Sequence, residues 1–272
     1  MAKELLAVTA FFYLLAFGAH LLSFSGKGER GNRAAFRLMQ AGFICATFYF
    51  VMEAATLGTF VPVIDASHAL AFFAWSLAFV YLVLLAKAQS ESFGLVLTPV
   101  LVFLLGMALF GAHVRRGNPL PPAHPLFMLH ILSAFFAYAS FAISFAAGVL
   151  YLIQRHELKS KHAGTFYHKL PALEDLERLI DQPMGWGALL LAGAVAIGFA
   201  WSKAAYGAYW FSDPKTLITV FVTLAYGTVL FLRLGSHLRA RQAAIFSVAA
   251  FALVILSFIG TRFLHGSHHF LA

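Results

Sequence analysis

The chain has 272 residues, of which 61% are hydrophobic and only 11% charged, with a formal net charge of +8. A soluble globular domain carries roughly 25% charged residues. The composition therefore excludes a soluble domain and places the chain in lipid, where an ionic side chain at the bilayer centre costs several kcal/mol. The basic excess needs no nucleic acid, because anionic lipid at an inner leaflet accounts for it. One cysteine, Cys45, closes no internal disulfide and no C-x-x-C motif. The stretch "SGKGERG" lacks Walker-loop spacing and a preceding strand, so nothing supports ATP-driven work.

A helix needs roughly 20 apolar residues to cross the hydrocarbon core. Segments of that kind begin near Leu5, Leu38, Ser67, Phe93, Leu126, Met184, Lys215 and Gln242. They end near Phe24, Phe60, Ala86, Ala112, Ile153, Ala200, Arg233 and Phe263. The fold class expected is all-α, a polytopic membrane protein of about eight transmembrane helices forming a single domain over 1–272. The first span has only Lys3 and Glu4 before it and no small-residue cleavage site after it, unlike a removable signal peptide.

Lys and Arg distribution orients the spans. With the N-terminus outside, only Lys3, Arg115, Arg116, Lys203, Lys215 and Arg262 of the 19 basic residues face outward, and the rest face inward. The positive-inside rule then predicts both termini outside. In that topology His68, His113, His124, His130, His265, His268 and His269 gather at the outer side, against His156, His162, His168 and His237 inside and His20 toward the inner end of the first span. Neutral imidazole is a common metal and haem ligand, though it is also tolerated at the headgroup level. The closing "HGSHH" also fits a surface metal scavenger or a tag remnant. Glu53 is the clearest intramembrane acid, with Asp65 and His68 near it, and such an acid is a functional candidate or simply reaches the interface.

One outer loop is unusual. "FAWSKAAYGAYWFSDPKTLITV", residues 199–220, places Trp201, Tyr206, Tyr209, Trp210 and Phe211 between two spans, more rings than an interfacial belt uses. Gly207 permits a turn, and Asp213-Pro214 fits the N-cap and first turn of the next helix. Such an aromatic shelf suits a large planar ligand, with Lys203 and Lys215 available to its carboxylates. An aromatic belt followed by a helix cap explains the same residues without a ligand.

"WSKAAYGAYWFSDPKTLIT" resembles the tryptophan-rich WWD signature of the cytochrome c assembly family, the CcsA/ResC/CcmC-type haem-handling membrane proteins that also include CcmF and a HemX-like branch. "SHALAFFAWSLAFVYL", "LHILSAFFAYASFAISFAAGVLYLI", "LPALEDLERLIDQ" and "FIGTRFLHGSHHF" follow the family's order, so the likeness spans about residues 65–269. The resemblance implies that His130 and His265 are axial ligands of a non-covalent haem b, covered by the loop that holds Trp201, Tyr206, Tyr209, Trp210 and Asp213. Lys203, Lys215 or the outer Arg115 and Arg116 would meet the propionates. It also suggests a second haem site of His20 and His237 on the inner side, an assignment an inner basic loop explains equally well. The implied setting is a bacterial-type inner membrane, with apocytochrome c and a CcsB-like protein as partners.

The motif departs from the fuller family pattern. Tyr206 and Tyr209 stand where the family often has Trp, and Thr216-Leu217 replaces the usual Glu-x-Trp after Asp-Pro-Lys. These departures weigh against full haem-attachment activity and toward the HemX-like branch, a membrane regulator of haem biosynthesis. A haem-free polytopic transporter is the third reading. No independent catalytic constellation appears, and without C-x-x-C-H the chain is not itself a c-type cytochrome.

Overall fold

The computed structural model describes residues 2–85, 91–110, 125–160, 169–207, 214–235 and 238–260. These form eight α-helices and, among the described residues, no strand: α1 (Ala2–Leu22), α2 (Gly28–Leu57), α3 (Ala66–Leu85), α4 (Glu91–Phe110), α5 (Pro125–Ser160), α6 (Leu173–Tyr206), α7 (Pro214–Leu234) and α8 (Ala240–Gly260). Seven are long and apolar enough to cross a membrane, and a shorter apolar stretch, Ala240–Leu256, lies in α8. An all-α solution is what lipid demands, because a helix satisfies its own backbone hydrogen bonds where no water can.

Contacts between helix ends define two faces. At one, here the basic end, α1, α3, α5 and α7 finish. At the other they begin. A π-helical turn, Ser23–Lys27, joins α1 to α2. Lys169, just before α6, places its ammonium 2.6 Å from the Phe24 carbonyl and 3.2 Å from the Ser23 carbonyl, and lies over the Phe24 ring. These are the carbonyls that a helix ending at α1 leaves over, and a lysine there answers both them and the helix dipole. Ser92 Oγ, at the start of α4, donates to the Lys169 carbonyl at 2.8 Å.

The centre is α5. Ala137, Ala139, Ala142, Ala146 and Ala147 are all buried, and they let neighbouring backbones come close. Between membrane helices such close packing replaces the hydrophobic driving force that water would supply. Phe72 and Phe73 of α3 pack on Phe135, Phe141 stacks on Tyr226 of α7 at 3.6 Å, and Phe145 meets Phe251 of α8. α2 leans on α3 through Trp75, which stacks on Phe43 and donates its indole N–H to Thr47 Oγ1 at 2.9 Å.

Three helices run further than their apolar stretches. α2 begins at Gly28, ten residues before the expected Leu38, and α5 continues to Ser160. Most of the segment "LPALEDLERLIDQ", from Leu173 on, is the start of α6, which passes through Pro183 unbroken. Its acidic residues explain this. Arg233 of α7 binds Asp181 with its Nε at 2.9 and 3.0 Å from the two carboxylate oxygens, reaches Glu177 at 3.0 Å, and donates to the Leu238 carbonyl at 3.0 Å. One guanidinium thus ties α6, α7 and the approach to α8.

The Arg233 side chain is 19% exposed, whereas the i,i+4 pair Arg178–Glu174 is 66% and 77% exposed. Asp181→Ala is expected to cost about 1–2 kcal/mol in reversible denaturation in mixed micelles, since it strands a half-buried charge. Glu174→Ala is expected to leave stability unchanged. Equal losses in the two variants would refute the clamp.

Candidate functional site

The end at which α5 begins holds the first candidate group. His130 lies one turn into α5 and is half-buried. Its Nδ1 is 2.7 Å from the Ala194 carbonyl of α6. A carbonyl only accepts, so Nδ1 carries the proton and Nε2 keeps the lone pair. That is the tautomer a metal-ligating imidazole adopts, with the second ring nitrogen fixed by a backbone acceptor. The ring rests on Gly198, where a Cβ would stand 2.7 Å from Nδ1 and 2.8 Å from Cε1. One turn further along α6, Trp201 packs on Phe127 of α5, ring centroids 4.7 Å apart. Phe127 and His130 share a face at i,i+3, as do Gly198 and Trp201, so the two helices meet as a two-rung ladder.

Trp201 is therefore not part of a loop. α6 continues to Tyr206, and Trp201 is 5% exposed within the α5–α6 contact. Its partner Phe127, distant in sequence, is what draws it in. Lys203 is exposed on the last turn, and its carbonyl accepts the Gly207 N–H at 2.9 Å. Gly207 has φ +70°, the left-handed cap that lets the chain leave the helix sharply. Pro214 opens α7, as the Asp213-Pro214 reading expects, and Lys215 follows it. Tyr209, Trp210, Asp213, His237 and His265 lie outside the described residues, as do the side chains of Tyr206 and Lys215. Arg115 and Arg116 lie outside them too.

At the basic end, His20 on α1 is completely buried, and among the described residues neither ring nitrogen has a hydrogen-bond partner. Its ring lies on Gly94 of α4, where a Cβ would overlap the imidazole. The two histidines share a device, an imidazole laid on a glycine of the neighbouring helix, but only His130 is anchored through Nδ1.

The sequence placed Glu53, Asp65 and His68 near one another without joining them. In the fold, Asp65 Oδ1 caps α3 by accepting the His68 backbone N–H at 2.8 Å and also meets His68 Nδ1 at 2.8 Å. His68 Nε2 faces Glu53 Oε2 of α2 at 3.6 Å. The readable signal was the Asp-x-x-His spacing at a helix start, which lets one carboxylate cap the backbone and hold the ring. Among the described residues, no group of three or more His, Cys, Asp or Glu is arranged to hold a metal ion.

The cradle makes a contrast in sign. Replacing a helical glycine by alanine normally stabilises by about 0.5–1 kcal/mol. That is expected for Gly227→Ala on α7, where nothing lies within 4 Å of the added methyl. Gly198→Ala is expected to destabilise instead, because the methyl must displace His130 from its carbonyl. Denaturation of both variants side by side checks this, and stabilisation by Gly198→Ala would count against the cradle.

Comparison with known proteins places this geometry in a family. The model of the Cytochrome C assembly protein family matches residues 63–269. Protein HemX of Brevibacillus brevis is 26% identical over 257 residues, covering 93% of this chain and 93% of that protein. The cytochrome c biogenesis protein CcsA of Porphyra purpurea is 24% identical, covering 77% of this chain and 78% of its own. Among solved structures, cytochrome c haem lyase CcmF superposes with a TM-score of 0.68 at 16% identity, over 96% of this chain. The chain spans about half of that protein, 48% of its length. A multi-pass, all-helical membrane protein matched by the family model over α3 to α8 and beyond, this chain belongs to the cytochrome c assembly protein family.

Proposed function

We propose that the protein holds haem b at the end of the bundle where α5 begins and presents it for cytochrome c biogenesis. The observation that carries this reading is His130. Its proton is committed to the Ala194 carbonyl, its ring is laid on Gly198, and an aromatic wall of Phe127 and Trp201 stands one turn away. These features fit an axial imidazole, for which orientation and basicity are set by what the other nitrogen touches. His265 would be the second axial ligand. Tyr206, Tyr209 and Trp210 would stack on the ring, and Lys203 and Lys215 would meet its carboxylates. These residues would hold haem so that its vinyl groups, the sites of thioether attachment, lie open to the thiols of an apocytochrome. The chain's own contribution is position and exclusion of water rather than acid–base chemistry. A CcsB-like membrane protein fits this reading as partner.

The basic-residue distribution supports an outward orientation of that end, in a bacterial-type inner membrane with both termini outside. A second reading has its own support: the HemX relative matches this chain over a larger share of both chains than the CcsA relative does. In that reading the protein acts on haem biosynthesis, and the basic end is the working surface.

Detergent-purified protein is expected to show a Soret band. His130→Ala and His265→Ala should each lower haem content or shift the band, with partial rescue by imidazole. Trp210→Ala should weaken haem retention about tenfold or more, if stacking contributes about 1.4 kcal/mol or above. Unchanged spectra in all three would remove the haem reading. Loss of cytochrome c maturation in a deletion strain separates the first reading from the second. A C-terminal reporter active only in the cytoplasm would overturn the orientation.

A further inference from the structure

The trio Glu53, Asp65 and His68 takes no part in the proposed haem site. It lies where the last turn of α2 meets the first turn of α3, and all three side chains are at most 16% exposed. Asp65 is committed twice, to the His68 backbone N–H and to the ring Nδ1. A carboxylate accepts, so Nδ1 carries a proton, and Nε2 is left pointing at Glu53 Oε2 from 3.6 Å. If Glu53 is ionised and Nε2 bare, a lone pair and a carboxylate face each other in a poorly solvated place. Two buried carboxylates would then share no compensating charge through this ring, an arrangement the membrane end penalises heavily. One proton between Nε2 and Oε2 removes the conflict.

The surroundings narrow the choice. Among the described residues, the charged groups acting on His68 are Asp65 and Glu53. Tyr49 of α2 lies alongside the ring, centroids 6.4 Å apart. The neighbouring end of α4, residues 101–110, has no titratable side chain. α5 offers His130 there, which is bound to α6. Lys3 and Glu4 open α1 at the same end. A cation site is less well served, since among the described residues no group of three or more His, Cys, Asp or Glu is arranged to hold a metal ion.

The position gives the proton a mechanical role. The family match starts at residue 63, so α1 and α2 precede the region the family model describes. Along α2 and α3 the polar ties are the Trp75–Thr47 hydrogen bond and, at the end, the His68–Glu53 contact. Trp75 also touches Phe43 and Phe50 of α2, so its surroundings report how α2 is seated.

We propose that Glu53 and His68 share one proton, and that this proton latches the α1–α2 hairpin onto the family core from the aqueous side nearest α3's start. The sign follows directly. The latch is closed at low pH. It opens as pH rises and the shared proton leaves, because the carboxylate and the bare nitrogen then repel and the end of α2 moves from α3.

The test uses the full chain in detergent, labelled with 5-fluorotryptophan, with the Trp75 ¹⁹F resonance assigned by its loss in Trp75→Phe. Between about pH 5 and about pH 8, that resonance is expected to move by more than its linewidth. The resonance of Trp186, on the lipid-facing side of α6, should stay fixed. Glu53→Gln replaces the shared proton by an amide donor, and should hold Trp75 at its low-pH position throughout. His68→Phe should hold it at the high-pH position. A Trp75 resonance that does not move with pH overturns the latch, as does full titration in Glu53→Gln. A shift produced at fixed pH by Zn²⁺ alone would replace the proton with a cation and equally overturn it. Should His68→Phe fail to fold, the wild type and Glu53→Gln still decide.

Discussion

A buried backbone carbonyl needs a donor within the protein, and where α5, α6 and α8 meet toward the basic end two serine hydroxyls stand against carbonyls of neighbouring helices. Ser144 Oγ of α5 donates to the Ile180 carbonyl of α6 at 2.9 Å, and Ser247 Oγ of α8 lies 3.3 Å from the Ser144 carbonyl. Pro183 carries no N–H, so the Leu179 carbonyl loses its helical donor, and Ile180 is the next residue in the same turn. A neighbouring hydroxyl there is the usual remedy in membrane helices. It allows α6 to run as one rod of 34 residues rather than as two pieces. The Gly148 backbone permits the approach, since a Cβ at 148 would overlap Ser247 Oγ.

That rod connects the two ends of the molecule. Its first turns carry Glu177 and Asp181, which Arg233 gathers at the basic end. Its last turns carry Ala194, Gly198 and Trp201, which seat His130 and Phe127. The position of His130 relative to α7 is therefore set by a single helix held at both ends. For an imidazole proposed as a haem ligand, this matters more than any one contact, because ligand geometry tolerates about half an ångström of error.

The number and order of the helices were legible because bilayer thickness imposes a length that composition reveals directly, although seven rather than eight are long and apolar enough to cross. The extent of the helices was not. Hydropathy marks where a helix is in lipid, and Gly28–Arg37, Gln154–Ser160 and Leu173–Gln182 are helical but polar, running on past the apolar core. Half of the site was legible too. His130 stood out, yet its cradle did not, because Ala194 and Gly198 lie 64 and 68 residues away and neither residue type announces chemistry. Trp201 was assigned to a loop for the same reason: its burial depends on Phe127, 74 residues earlier. The Glu53–His68 contact joins two helix ends across a turn, and spacing within one helix could reveal only its Asp65 half.

His20 carries an implication for how the molecule is made. Translation delivers α1 to the bilayer well before residue 94 exists, yet the burial of His20 depends on the α4 backbone at Gly94. Until then the imidazole lacks the Gly94 backbone it rests on, and water or headgroups are the partners open to its nitrogens. Seating α1 against α4 trades that hydration for contact with a bare glycine backbone. The burial of His20 thus follows α4 in time, and it comes from a helix three elements downstream.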